Sequence, residues 1–145
     1  YRKKGYSEEW INQRLKTIDI RKEFTDELKE KGISEAKDFA ILTNILTQAW
    51  SGHSVKEYKN LKGLKKENLR DNMTNMELVL NMLAETSSTE ISKSKNEKGF
   101  KEAQDSVIEG GNIDRVAREQ LERKTGKRVV SNKSVKEIRK LNSGK

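Results

Sequence analysis

No proline occurs among these 145 residues, and this absence constrains the fold more than any other feature. Proline breaks or kinks a helix by removing an N–H and crowding the preceding turn. In a chain rich in Lys, Glu, Leu, Asn and Ser, long helices can form, and only caps and glycines remain to divide them. The expectation is an all-α protein.

The pass along the chain gives the divisions. Ser7 opens a first helix with Glu8 and Glu9 suited to its dipole; Trp10, Arg14, Thr17, Arg21, Phe24 and Leu28 share a face, flanked by Ile11, Leu15 and Ile18, and Gly32 closes it. Ser34 starts a second helix in which Phe39, Ala40, Ile41, Leu42, Ile45, Leu46, Ala49 and Trp50 lie nearly all around the cylinder, which predicts a central, buried helix. Ser51, Gly52 and His53 turn the chain, and Ser54 with Glu57 forms a capping box for a short third helix ending near Gly63. Leu69, Met73, Met76, Leu80 and Leu83 then step by four and three, predicting a helix across residues 69–83. Thr74 and Glu77 make a second capping box inside that pattern, which leaves a break near Asp71 open. The hydroxyl cluster at 86–89 ends or kinks this helix, and 92–99 reads as a surface connection.

Phe100, Ala103, Val107 and Ile108 mark a fifth helix stopped by Gly110 and Gly111; Asn112 caps a sixth that runs to Thr125 and Gly126. Residues 127–131 are extended, 134–141 form a last short helix, and 142–145 fray. The expected architecture is therefore a bundle of about six to seven helices. It divides into a helical core over 1–111 and a basic, extended C-terminal arm over 112–145.

Apolar residues make up 32% and charged residues 37%, so the core is thin and the helices pack two or three deep. Without cysteine, neither a disulfide framework nor a thiolate metal site can form, and a reducing, cytoplasmic setting is expected. No apolar run approaches the roughly eighteen residues of a membrane span, and no signal-peptide core is present. The start at Tyr1 implies that the chain continues from something upstream.

Catalytic chemistry has little to build on. The one histidine, His53, sits in a turn where a capping or packing role outweighs that of a general base, and no nucleophile set, phosphate loop or zinc spacing can be assembled. No enzyme activity, cofactor or metal is expected. The charge is more informative. Of the net +8, residues 113–145 hold +7, from eleven Lys or Arg against four Asp or Glu. Arg115, Arg118, Arg123, Lys124, Lys127, Arg128, Lys133, Lys136, Arg139 and Lys140 recur every few residues. They form either a solvated surface or a row of phosphate contacts along a nucleic acid. The helices here lack the broad apolar face of a membrane-surface segment.

Five strings carry a family resemblance: YRKKGYSEEWINQRL at 1–15, IRKEFTDEL at 20–28, FAILTNILTQAWSG at 39–52, KNLKGLKKENLRDNMTNMELVLNMLAE at 59–85, and GGNIDRVAREQLERKTGKRVVS at 110–131. In the same order they resemble the C-terminal region of prophage antirepressor proteins with a Bro-type N-terminal domain, some of them DNA-damage-inducible protein D-like. The resemblance implies a role in phage or mobile-element gene control and brings no catalytic residues. Two functions follow as expectations. The first is an accessory domain that adds non-specific DNA-phosphate affinity through its basic arm, above all through Arg123, Lys124, Lys127 and Arg128. The second is a protein-interaction or oligomerisation module that captures a repressor or a DNA-repair protein with the Asn-rich stretch 72–81.

Overall fold

The computed structural model describes residues 5–132. Among them the chain forms five α-helices and no strand: α1 (Glu8–Glu30), α2 (Ala36–Ser51), α3 (Val55–Leu61), α4 (Asn75–Lys93) and α5 (Phe100–Thr125), with a 3₁₀ turn at Arg70–Asn72. The helix starts have local causes. The Ser7 hydroxyl accepts the Trp10 N–H at 3.1 Å, and both capping boxes, Ser54 with Glu57 and Thr74 with Glu77, are complete. The start of α2 differs from expectation, its cap being Glu35 rather than Ser34, with no side-chain bond.

The 69–83 stripe is not one helix. The Thr74 box begins α4 at Asn75, and the preceding segment is held to α1 instead. There the Trp10 indole donates to the Met73 carbonyl at 3.0 Å, and Arg14 pairs with Asp71 at 2.7 Å. The register set by the box buries Leu78, Leu80, Met82 and Ala84 and leaves Met76 and Leu83 exposed. The hydroxyl cluster does not end α4 either. Ser88 and Thr89 donate to the carbonyls of Ala84 and Glu85, four residues back, at 2.8 and 2.9 Å. That bond lets a hydroxyl side chain stay within a helix.

The central helices are α4 and α5, not α2: α4 lies between α1 and α5, and α5 between α4 and α2. Ala40, Ile41 and Gln48 of α2 are exposed, and its buried line is Leu42, Leu46 and Trp50. Hydropathy misdirects here because the inner face of α4 is polar, with Glu77, Asn81, Glu85, Ser88, Thr89 and Ser92 all buried. The buried carboxylates are satisfied by neighbouring elements. Glu77 accepts from the Tyr58 hydroxyl and from Lys62 Nζ at 2.7 Å; Glu85 accepts from Arg21 at 3.0 Å, Asn81 at 3.2 Å and Arg70 at 3.4 Å. Glu27 of α1 accepts from Ser92 at 2.6 Å and Lys31 at 2.9 Å. Burial of Glu27 raises its pKa, but the hydrogen bonds from Ser92 and Lys31 and the charges of Lys31 and Lys93 together outweigh it and hold the carboxyl below its usual value.

The two helices expected on either side of Gly110 and Gly111 are one. α5 runs through both glycines unbroken, so the position between 111 and 112 falls inside it, and the described residues hold five helices rather than six or seven. A Cβ at Gly110 would lie 2.1 Å from Ser88 Oγ and 2.6 Å from its backbone nitrogen, and one at Gly111 would lie 2.5 Å from Ala49 Cβ. The pair serves close approach of α4 and α2 to α5 rather than helix termination. That stop comes at Gly126, with φ of +72°. Residues 127–132 are irregular, yet Val130 is buried in the core and Val129 packs against it. The expected helix at 134–141 and the tip at 142–145 lie outside the described residues.

Candidate nucleic-acid interface

The basic residues proposed from sequence divide into four groups. Arg118 serves the fold: its Nε donates to the Trp50 carbonyl at 2.7 Å and its guanidinium pairs with Glu122 at 2.8 Å. Arg115 is exposed and pairs with Glu119 one turn on, at 3.2 Å. Arg123, Lys124, Lys127 and Arg128 are exposed and have no carboxylate partner among the described residues. Lys133, Lys136, Arg139 and Lys140 lie outside the described residues.

Local sequence explains how the third group is presented. Arg123 and Lys124 occupy the last turn of α5, where the exposed carbonyls favour positive charge. Gly126 reverses the chain, and the Val129 N–H donates to Glu122 at 3.0 Å, which fixes the return. Together Arg123, Lys127 and Arg128 wall a shallow groove of about 530 Å³ with Gly126, Glu119 and Glu122. Its two glutamates are occupied, one by Arg115 and the other by Arg118 and Val129. The four cations are thus left to meet solvent or an anion. The arrangement can position phosphates but offers no acid–base or nucleophilic pair.

Over residues 7–139 the sequence matches the family model of the DinD C-terminal domain. The chain belongs to that family. The DinD C-terminal domain match takes in all five helices, crosses the 111/112 position and extends over Lys133, Lys136 and Arg139. No curated protein and no solved structure is significantly similar to the chain. No helix among the described residues is long and apolar enough to cross a membrane.

Other parts of the DinD C-terminal domain were not legible as sites. Of the Asn-rich stretch, Asn72 and Asn81 are buried and only Asn75 is exposed. Asp114, read only as a charge within the arm, is fully buried on the line of α5 that carries Gly111 and Arg118, and neither carboxylate oxygen has a hydrogen-bond partner among the described residues. Burial pushes its pKa up to about 8, with nearby Arg118 opposing. A second gathering of cations, Arg21, Lys56, Lys59, Lys65 and Arg70, surrounds two adjoining cavities. It forms no run in sequence; a helix, a short helix and a loop bring it together.

Proposed function

We propose that this DinD C-terminal domain is a non-catalytic regulatory module of the DNA-damage-inducible, antirepressor-like kind, which holds DNA by its phosphates through the basic end of α5. The observation that carries the reading is the set Arg123, Lys124, Lys127 and Arg128, exposed together and unpaired among the described residues, within a segment of net charge +7. Side chains that reach phosphates without a groove-reading helix add affinity and register but no sequence choice. Lys133, Lys136, Arg139 and Lys140 extend the same row in sequence, and Arg115 joins it when phosphate displaces Glu119. The test is fluorescence anisotropy of labelled duplex and single-stranded DNA titrated with the chain at low salt. The expected result is binding to both, without preference between unrelated sequences; no binding at low salt would refute it.

A protein-facing role has one observation in its favour. Ile108, Ile113 and Val116 are exposed at 37%, 51% and 49% and fall within one sector of α5 of about 140° at 100° per residue. Such a face suits capture of a repressor or a DNA-repair protein. In that case the chain would enter a discrete complex through this face while DNA titrations stayed flat.

A further inference from the structure

The gathering of cations away from α5 has properties that the basic arm lacks. An inner cavity of about 160 Å³ is lined by Arg70, Lys59, Asn68, Asn81, Thr43 and Thr47, with apolar contributions from Val55, Leu69 and Met73. It is far larger than the roughly 10–15 Å³ that one water requires. It shares Thr43, Val55 and Lys59 with an outer groove of about 660 Å³, within the range of small-molecule sites, roughly 300–1,000 Å³. Arg21, Lys56, Lys65, Asn44 and Asn60 line that groove, along with Ala40 and Leu64. No Asp or Glu lines either space.

The charge inside is under-compensated. Arg21 and Arg70 both lean on one carboxylate, Glu85, at 3.0 and 3.4 Å. Two guanidinium groups thus share a single negative charge, and the longer contact is at the outer edge of hydrogen-bond reach. Arg70 Nε is shielded from solvent and has no hydrogen-bond partner among the described residues. Burial lowers the pKa of Arg70; Glu85 opposes this, and Arg21 and Arg14 add to it. Lys59 is half-buried at the junction of the two spaces and, like Lys56 and Lys65, makes no ion pair among the described residues. A half-buried guanidinium whose Nε is shielded and unbonded among the described residues, lining the same space as an unpaired ammonium, is the donor set of a multiply charged oxyanion, which both residue types bind by charge-assisted hydrogen bonds. The roomier outer groove adds Ala40 and Leu64 to Val55 as apolar lining, together with the amide groups of Asn44 and Asn60, a combination that suits a heterocycle.

We propose that these adjoining cavities bind the phosphate monoester of a nucleotide, with the phosphate between Arg70 and Lys59 and the base and sugar in the outer groove. The same chemistry is presented by a free mononucleotide and by the 5′-phosphorylated end of a nucleic-acid strand.

Two-dimensional NMR and calorimetric titration of the full chain with adenosine monophosphate, adenosine, inorganic phosphate, and a short single strand with or without a 5′-phosphate separate the outcomes. The expected result is saturable binding of the monophosphate with shifts at the amides of Lys59, Asn60 and Arg70, weaker binding of inorganic phosphate, and none of adenosine. A strand end as the source appears as tighter binding of the 5′-phosphorylated strand than of its hydroxyl counterpart at these amides; a free nucleotide as the source leaves the two strands equal. Lys59→Gln should weaken the monophosphate about tenfold or more, the loss of one charge-assisted hydrogen bond. Lys56→Ser, on the exposed rim, gives a smaller loss and keeps the test open if Lys59→Gln fails to fold. Replacing Arg123, Lys124, Lys127 and Arg128 by serine should leave this binding unchanged, which separates it from the DNA-contact reading. The proposal is overturned if the monophosphate gives no shifts at these amides at millimolar concentration, if adenosine binds as well, or if the four-serine variant abolishes the effect.

Discussion

Lys62 and Glu77 have fully buried side chains 2.7 Å apart, with the Tyr58 hydroxyl completing the cluster. Removing one member leaves the other as an uncompensated charge away from water, so Lys62→Met should destabilise the fold by about 3–5 kcal/mol. Urea denaturation measures this, and a change below about 0.5 kcal/mol, usual for surface sites, would place the pair in solvent instead. Asp114 behaves in the opposite sense, being buried without a hydrogen-bond partner among the described residues. Its folded pKa of about 8 lies above the ordinary value of 3.8, so between these pH values the folded state holds a proton that the unfolded state releases. The contribution is fully present below about pH 4 and is lost as pH rises through 8. Asp114→Asn, which keeps the shape and removes the charge, should raise the melting temperature at pH 8 and change it little at pH 4. A melting temperature unaffected by the substitution at both pH values would show that the carboxyl is ionised at no cost, hence solvated.

Among the helices, what sequence made legible depended on whether the deciding contact was local. The Ser7, Ser54 and Thr74 caps rest on bonds within four residues, and each stands where expected. Gly110 and Gly111 carry the same local signal as a helix stop, yet the deciding contacts are with Ser88 and Ala49 on other helices. Periodicity likewise missed the polar inner face of α4, since its burial depends on Arg21, Lys62 and Lys31 arriving from elsewhere, with Lys31 donating to the Ser92 carbonyl. The candidate site follows the same rule. Four cations close in sequence were found, while the convergence of Arg21, Lys59 and Arg70 needs the fold. The glycine assignment has a test of sign. In a solvated helix, alanine in place of glycine gains up to about 1 kcal/mol of propensity. Against Ser88 the added methyl cannot fit, so Gly110→Ala should instead destabilise by about 1–3 kcal/mol, measured by chemical denaturation. Stabilisation would mean that α4 and α5 stand further apart.

At the scale of the whole molecule, the excess of positive charge is concentrated in the C-terminal part of the sequence, with +7 of +8 beyond residue 112. The helix to Thr125 and the buried Val130 hold Arg123, Lys124, Lys127 and Arg128 to the body, and the proposed DNA contact rests on these four. Each neutralised phosphate releases condensed counterion, so affinity for duplex DNA should fall with log salt by about 0.9 per contact. The most direct test is therefore the salt dependence of duplex binding for the native chain and for the variant with Arg123, Lys124, Lys127 and Arg128 all replaced by serine. The account predicts weaker binding of the variant to every sequence, a slope flatter by about 3–4, and an unchanged helical circular dichroism spectrum. A variant that folds and binds DNA with the native slope would contradict it.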